Sequence, residues 1–347
     1  MSIRISRPAL RIRRDEAGRV PACCAMLSRM ISRRLALALL ATPALAQSWA
    51  PTRPIRIIAG WPGGGAADAS LRLVAPHMQT ALGQNVVIEN RSGASGSIGA
   101  AAVAQAPADG HTLLFDAAGQ VSNPFLMRGL AFDYLTAFTP VTVFALLPNL
   151  LVVRSETPFR TVAELVAHLR ANPGREAFAS TGIGIVSHLA GVMFTTRENL
   201  DVTHVPYRAS SQSIPGLLAG ETLFTFNTTP LAAPQVRDGK LRALAVTTPQ
   251  RIPAFPEVPT MIEQGYDGFA INEWIGLFAP AGTPPAAVQR HADAAALGLA
   301  DPVVRDRHAL LGMEIVAQGP AAMAAFLAEQ RARVGGLIRD NNIRLEG

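Results

Sequence analysis

"IIAGWPGGGAADASLRLV", residues 57–74, runs from an isoleucine-rich apolar stretch through three consecutive glycines into a segment with apolar residues at helical spacing. The apolar part belongs to "IRIIAG" (55–60), bounded by Pro54 and Gly60, and reads as a buried strand; "ASLRLVAPHMQTAL" (69–82) reads as an amphipathic helix. Strand, glycine loop and helix in this order make an anion site, because the first turn of a helix presents unpaired N–H groups and a partial positive charge. Gly63, Gly64 and Gly65 carry no Cβ to keep a ligand from the backbone. Pro62 fixes the entry to the loop, and Asp68 is placed to cap the helix. Two other readings stand beside this one: a plain tight turn, and a dinucleotide site, although "GWPGGG" does not match G-x-G-x-x-G.

Outward from this loop the alternation continues. "NVVIEN" repeats the strand signal, followed by the loop "RSGASGSIGA", a helix-like "AAAVAQA" and the strand "HTLLFDA". From Asn149 the pattern begins again: strand "NLLVVR", helix "TVAELVAHLRAN" ended by Pro173-Gly174, and strand "EAFAST" leading into a second glycine loop, "STGIGIVSHL" (180–189). Further strands are "DVTHVPY", "TLFTFNT", "LRALAVTT" and "EWIGLFAP", and two helices, "PAAVQRHADAAALGLA" and "AAMAAFLAEQRARVGGLIRDN", close the chain. This is an α/β architecture of two units, each with a mostly parallel sheet and ligand sites beyond the carboxyl ends of its strands. No flexible tether separates the units, which places a cleft between them. Two glycine loops facing each other across it would hold the ends of a small anion.

The charge balance depends on which residues work. Residues 30–46, "MISRRLALALLATPALA", have arginines, a short apolar run and an A-x-A site, the pattern of a secretory signal peptide with cleavage expected after Ala46. Met26 and Met30 are usable initiators, which suggests an over-long start, with a real basic leader as the alternative. Residues 1–46 hold nine arginines against two acidic residues, so a chain of net charge +6 becomes close to neutral without them. A nucleic-acid partner, which needs a basic face on the folded domain, is therefore not expected. Both cysteines, Cys23 and Cys24, also lie in the leader, so the exported chain has no disulfide, thiolate metal site or lipid-anchoring cysteine. No metal or other cofactor is expected, and a monomer is the default.

The segments "PTRPIRIIAGWPGGGAADASLRLVAPHMQTALGQNVVIENRSGASGSIGA", "STGIGIVSHLAG", "HVPYRASS", "GKLRALAVTT", "FPEVPT" and "WIGLFAPAGTP" together resemble the Bug family, the periplasmic receptors of tripartite tricarboxylate transporters. The resemblance implies a two-lobed, Venus-flytrap periplasmic-binding-protein fold of type II-like organisation, with residues 47–149 and 276–347 in lobe 1 and 150–275 in lobe 2. It implies no catalysis. Members capture small carboxylates or amino acids through backbone amides and ordered waters and deliver them to integral-membrane transporter subunits. Carried onto this chain, it assigns ligand contact to Pro62, Gly63, Gly64, Gly65 and Ala66 in the first loop. It adds Ala117, Ala118 and Gly119 after the third strand, Ser180, Thr181, Gly182 and Ser187 in the second loop, and Asn227 in "TFNT". Three departures lower polarity: Ala67 where a Thr is common, "DAAG" where hydroxyls are common, and Ile183 and Ile185 around Gly184. They favour a ligand with an apolar body, an aromatic or branched monocarboxylate, over citrate.

Other candidates remain open at this stage. Trp274, at the return crossing between lobes, is either a core residue or a wall on which a ligand stacks, and Trp61 invites the same choice. Arg208 is either a solvated surface arginine, the more common outcome, or a partner for a carboxylate, and Asp116 and Glu273 are candidates for reading an amino group. His188 follows Ser187 directly, so the two side chains diverge on a helix and form no nucleophile–base pair; it reads as a helix-start residue at the cleft edge, and His204 as structural. An exported α/β hydrolase would need a nucleophile and a base that the sequence does not supply. A receptor presenting its ligand to a membrane sensor kinase has the same sequence signals as a transport receptor.

Overall fold

The computed structural model describes residues 49–207 and 210–344, so the leader reading for residues 1–46 and the pairing role of Arg208 lie outside the described residues. The strands are β1 (Ile55–Ala59), β2 (Val86–Asn90), β3 (Thr112–Ala117), β4 (Phe138–Leu147), β5 (Asn149–Arg154), β6 (Ala177–Ser180), β7 (Thr203–Pro206), β8 (Phe224–Thr228), β9 (Leu241–Val246), β10 (Glu273–Pro280) and β11 (Glu314–Gln318). The helices are α1 (Ala66–Leu82), α2 (Ser97–Ala104), α3 (Gly119–Leu126), α4 (Val162–Ala171), α5 (Val186–Arg197), α6 (Ser210–Ala219), α7 (Thr229–Arg237), α8 (Pro285–Ala300), α9 (Pro302–Leu310) and α10 (Pro320–Asp340).

These strands sort into two sheets, ordered β11-β4-β10-β3-β1-β2 and β7-β6-β8-β5-β9. β1 is parallel to β2 and β3, and β6 is parallel to β7 and β8. The carboxyl ends of β1 and β3 therefore share one edge of the first sheet, and those of β6 and β8 one edge of the second. The sheets are mixed, in place of the mostly parallel sheets expected from the sequence. β10 lies antiparallel between β3 and β4, and β5 antiparallel between β8 and β9. The physical reason is the path of the chain, which leaves the first sheet by β4, turns at Pro148 into β5, and re-enters by β10.

One apolar cluster runs through the molecule, from Ile58 and Leu114 of the first sheet to Phe178 and Phe226 of the second, with Trp274 and α10 between them. Met323, Leu327, Val334 and Ile338 bury the inner face of α10 there. Each such side chain contributes on the order of 2 kcal/mol. Exposed ion pairs contribute about 0–1 kcal/mol, so burial and not surface charge fixes the helix. A second cluster covers the other face of the first sheet, where Ile57, Phe115 and Leu277 meet Val74 and Met78 of α1 and Ala292 of α8. No helix among the described residues is long and apolar enough to cross a membrane.

Candidate functional site

The first glycine loop follows β1 at the carboxyl edge. Helix α1 begins at Ala66 with Gly65, in extended conformation, as its N-cap. The capping expected of Asp68 is thereby corrected: the helix starts earlier, and Asp68 sits within its first turn. Its carboxylate takes the Gly64 N–H at 2.9 Å, Arg72 Nε at 2.8 Å and Asn90 Nδ2 at 3.0 Å. Burial pushes the Asp68 pKa up, but these hydrogen bonds and the Arg72 charge outweigh it and hold the group below the usual carboxylate range. An ionised side chain thus shapes the loop from beneath, while Pro62, Gly63, Gly64 and Gly65 lie exposed and Ala66 partly so. Gly64 has φ +84° with open space where a Cβ would project. Gly64→Ala is accordingly expected to cost about 1–2 kcal/mol of stability through backbone strain alone, measurable by urea unfolding.

The second glycine loop repeats the device. Gly184 has φ +75°, Ile185 is the extended N-cap of α5, and the Gly184 N–H is donated to His188 Nδ1 at 3.1 Å. Gly-x-x-x-Asp in the first loop and Gly-x-x-x-His in the second do the same work, a spacing visible in the sequence and missed there. Because His188 Nδ1 accepts, the ring is neutral with its proton on Nε2. Burial lowers its pKa to about 4, and burial plus the neighbouring His188 lowers that of His204 to about 3. The two rings stack at 4.0 Å beside Phe178. The loop hydroxyls bond inward: Ser180 Oγ lies 2.7 Å from His204 Nε2 and donates to Gly182 O at 3.0 Å, and Ser187 Oγ accepts the Thr181 N–H at 3.0 Å. This loop therefore has no charge beneath it. Asn227, at the end of β8 near Ser180, is buried, with Nδ2 on Ser213 Oγ at 2.8 Å and Oδ1 unpartnered.

At the third-strand loop the side chains are acceptors. The Ala118 N–H is donated to Glu273 Oε1 at 3.0 Å. Ala117 and Ala118 are buried, and a Cβ on Gly119 would stand 2.8 Å from Ser95 O. Asp116 is fully buried; Gln120 Nε2 donates to its Oδ2 at 2.9 Å, and its Oδ1 has no partner. Burial, with a contribution from the Glu273 charge, raises Asp116 to about 7 against hydrogen bonding from Gln120 and Ala117; burial alone raises Glu273 to about 7. Trp274 packs in the core against Phe278 and Phe326 at 6.1 and 5.5 Å. Among the described residues, no group of three His, Cys, Asp or Glu side chains is arranged to hold a metal ion.

The second glycine loop meets α3, whose last residue, Leu126, occupies the position that a Cβ of Gly184 would take. Leu126 also lines a cavity of about 480 Å³ with Ala94, Ser97, Phe125, Met127 and Arg128.

Two sheets with paired glycine loops define the class: a two-lobed α/β solute-binding protein of the periplasmic type. The chain belongs to the tripartite tricarboxylate transporter family of receptors, whose family model matches residues 70–343. It is 33% identical to protein BugT of Bordetella pertussis over 320 residues, 90% of this chain and 96% of that one. A solved R. palustris protein with adipate superposes with TM-score 0.78 at 32% identity, over 85% of this chain and 99% of that one. MatC from Rhodopseudomonas palustris with bound malate gives TM-score 0.74 at 30% identity, over 83% and 99%.

Proposed function

We propose that the chain is exported, with residues 1–46 removed, and captures one small carboxylate-containing solute between its lobes for delivery to an integral-membrane transporter of the tripartite type. Lobe 1 comprises residues 47–149 and 276–347, lobe 2 residues 150–275. The observation that carries this reading is the shared loop device, in which Gly64 and Gly184 each hand their N–H to the side chain four residues on. Each loop then turns the first amides of a helix toward the same cleft, where an anion is favoured. Pro62, Gly63, Gly64, Gly65 and Ala66 on one side, and Ser180, Thr181, Gly182 and Ser187 on the other, shape the anion site. Ala118, Gly119, Asn227 and Trp274 support its walls. Closure of the lobes brings Leu126 onto the second loop and offers a new surface to the membrane partner. The side chains of Phe125, Leu126, Met127 and Leu130 in the cavity wall, beside Arg128 and Arg344, support a solute with a hydrocarbon body.

Native mass spectrometry of residues 47–347 purified from periplasm, followed by thermal shift against carboxylates and amino acids, tests this. A co-purifying small acid, or a melting temperature that rises with RT ln(1 + [L]/Kd), is the expected result. A protein that carries nothing and shifts with no acid in the panel would overturn it.

A further inference from the structure

Among the described residues, neither Asp116 nor Glu273 forms an ion pair with Lys, Arg or His. Yet the two carboxyls converge on one loop from different strands: β3 pairs with β10 so that Asp116 is opposite Gly276, and Glu273, three residues earlier on β10, reaches the Ala118 N–H. Asp116 Oδ1 points into the space left by two glycines, for a Cβ on Gly96 would stand 2.9 Å from it and one on Gly60 3.2 Å. Gly60 leads directly into the first glycine loop, so the carboxyl lies packed against the backbone at the root of that loop. Gln120 Oε1, also fully buried, has no partner either. The indole N–H of Trp61 lowers the Asp116 pKa without meeting hydrogen-bond geometry. The first lobe thus offers unpartnered acceptors and two carboxyl groups with no cation beside them, and the amide assigned there to the ligand is already taken by Glu273.

A second carboxylate on the solute would meet like charge at this place, whereas a protonated amine supplies donors and the missing positive charge. The second loop, with a neutral histidine beneath it, bears no such repulsion and accepts the carboxylate end. We infer that Asp116 and Glu273 are specificity-determining residues that read a protonated amine, making the solute an amino acid and excluding plain dicarboxylates. This rests on the receptor reading above. Desolvation raises both groups while no cation is beside them, and an ammonium placed there favours their ionised forms.

Calorimetry on the mature chain with two sets of probes decides the matter: L-leucine against 4-methylpentanoate, and 6-aminohexanoate against hexanoate and adipate. In at least one set the amine-bearing acid is expected to bind at least thirtyfold tighter than its partners. Asp116→Asn and Glu273→Gln are each expected to weaken the amine-bearing probe by tenfold or more and to leave the amine-free probe within threefold. The wild-type comparison needs no variant and stands even where one fails to fold. Amine-free acids binding as tightly as their amine-bearing partners in both sets would overturn the inference and leave the receptor reading intact; failure of every probe, together with no shift in the wider acid panel, would overturn both.

Discussion

Asp116→Asn is expected to melt roughly 5 °C above the unmutated protein at pH 8 without solute, and at the same temperature near pH 4. The argument is linkage. Asp116 is raised from 3.8 to about 7, first by burial and further by the Glu273 charge. A group raised on folding contributes stability that is fully present below its unfolded pKa and is lost as pH climbs through the folded value. Between about pH 4 and pH 7 the folded state therefore binds a proton that the unfolded state releases, and above that range an uncompensated carboxylate stays buried. Each pKa unit carries about 1.4 kcal/mol, which sets an upper bound on the order of 4 kcal/mol for the isolated shift. The asparagine keeps the acceptor that Gln120 uses at 2.9 Å and removes the charge. Because Asp116 and Glu273 titrate as a coupled pair, and because an amide replaces the second oxygen imperfectly, about 2 kcal/mol is the expected gain. Differential scanning calorimetry at both pH values measures it. Equal melting temperatures at pH 8 would show that another cation compensates Asp116, and would remove the electrostatic basis for amine recognition. A variant that gains stability while losing solute is what a site kept for binding predicts.

The same residues show how far the fold is legible from sequence. "IRIIA" and the glycine loop announce a strand, a turn and a helix because a β-branched apolar run gives way to apolar residues at helical spacing across Gly60–Gly65, and the structure has β1 and α1 there. The start of α1 misleads, since glycine is a weaker N-cap signal than the aspartate three residues on. β4 escapes sequence reading because Pro140 and Pro148 punctuate "FTPVTVFALLP", although the strand pairs with β10 and β11. α3, "GQVSNPFL", has an internal proline and no capping side chain, so it passes for loop. The paired loop device is local and could be read from Gly-x-x-x-Asp and Gly-x-x-x-His. The convergence of Asp116 with Glu273 could not, because it exists only once β3 and β10 are neighbours. Leu126 against Gly184 is hidden for the same reason: it depends on how the two sheets face one another, which no local period encodes.

That contact gives the other large effect. Gly184→Val is expected to weaken solute binding about a hundredfold while the solute-free protein loses only a few degrees in melting temperature. Two penalties act on the substitution. At φ +75° a branched side chain strains the backbone by about 1–2 kcal/mol in every arrangement of the lobes. On the closure proposed above, which brings α3 onto the second loop, the clash with Leu126 falls on the closed arrangement. Overpacking of this kind costs about 1–3 kcal/mol, and it falls on the solute-competent state alone. Strain common to both states leaves affinity unchanged, whereas a penalty confined to the closed state reduces its population and weakens apparent affinity by the same factor. Trimming the other partner separates the terms: Leu126→Ala in the Gly184→Val background is expected to recover about tenfold in affinity and none of the lost stability. Calorimetric titration of the two single variants and the double variant, beside thermal unfolding of each without solute, reads both quantities. A Gly184→Val protein that binds normally would place the Leu126 contact in the open form as well, and closure would then have to proceed without bringing α3 onto the second loop.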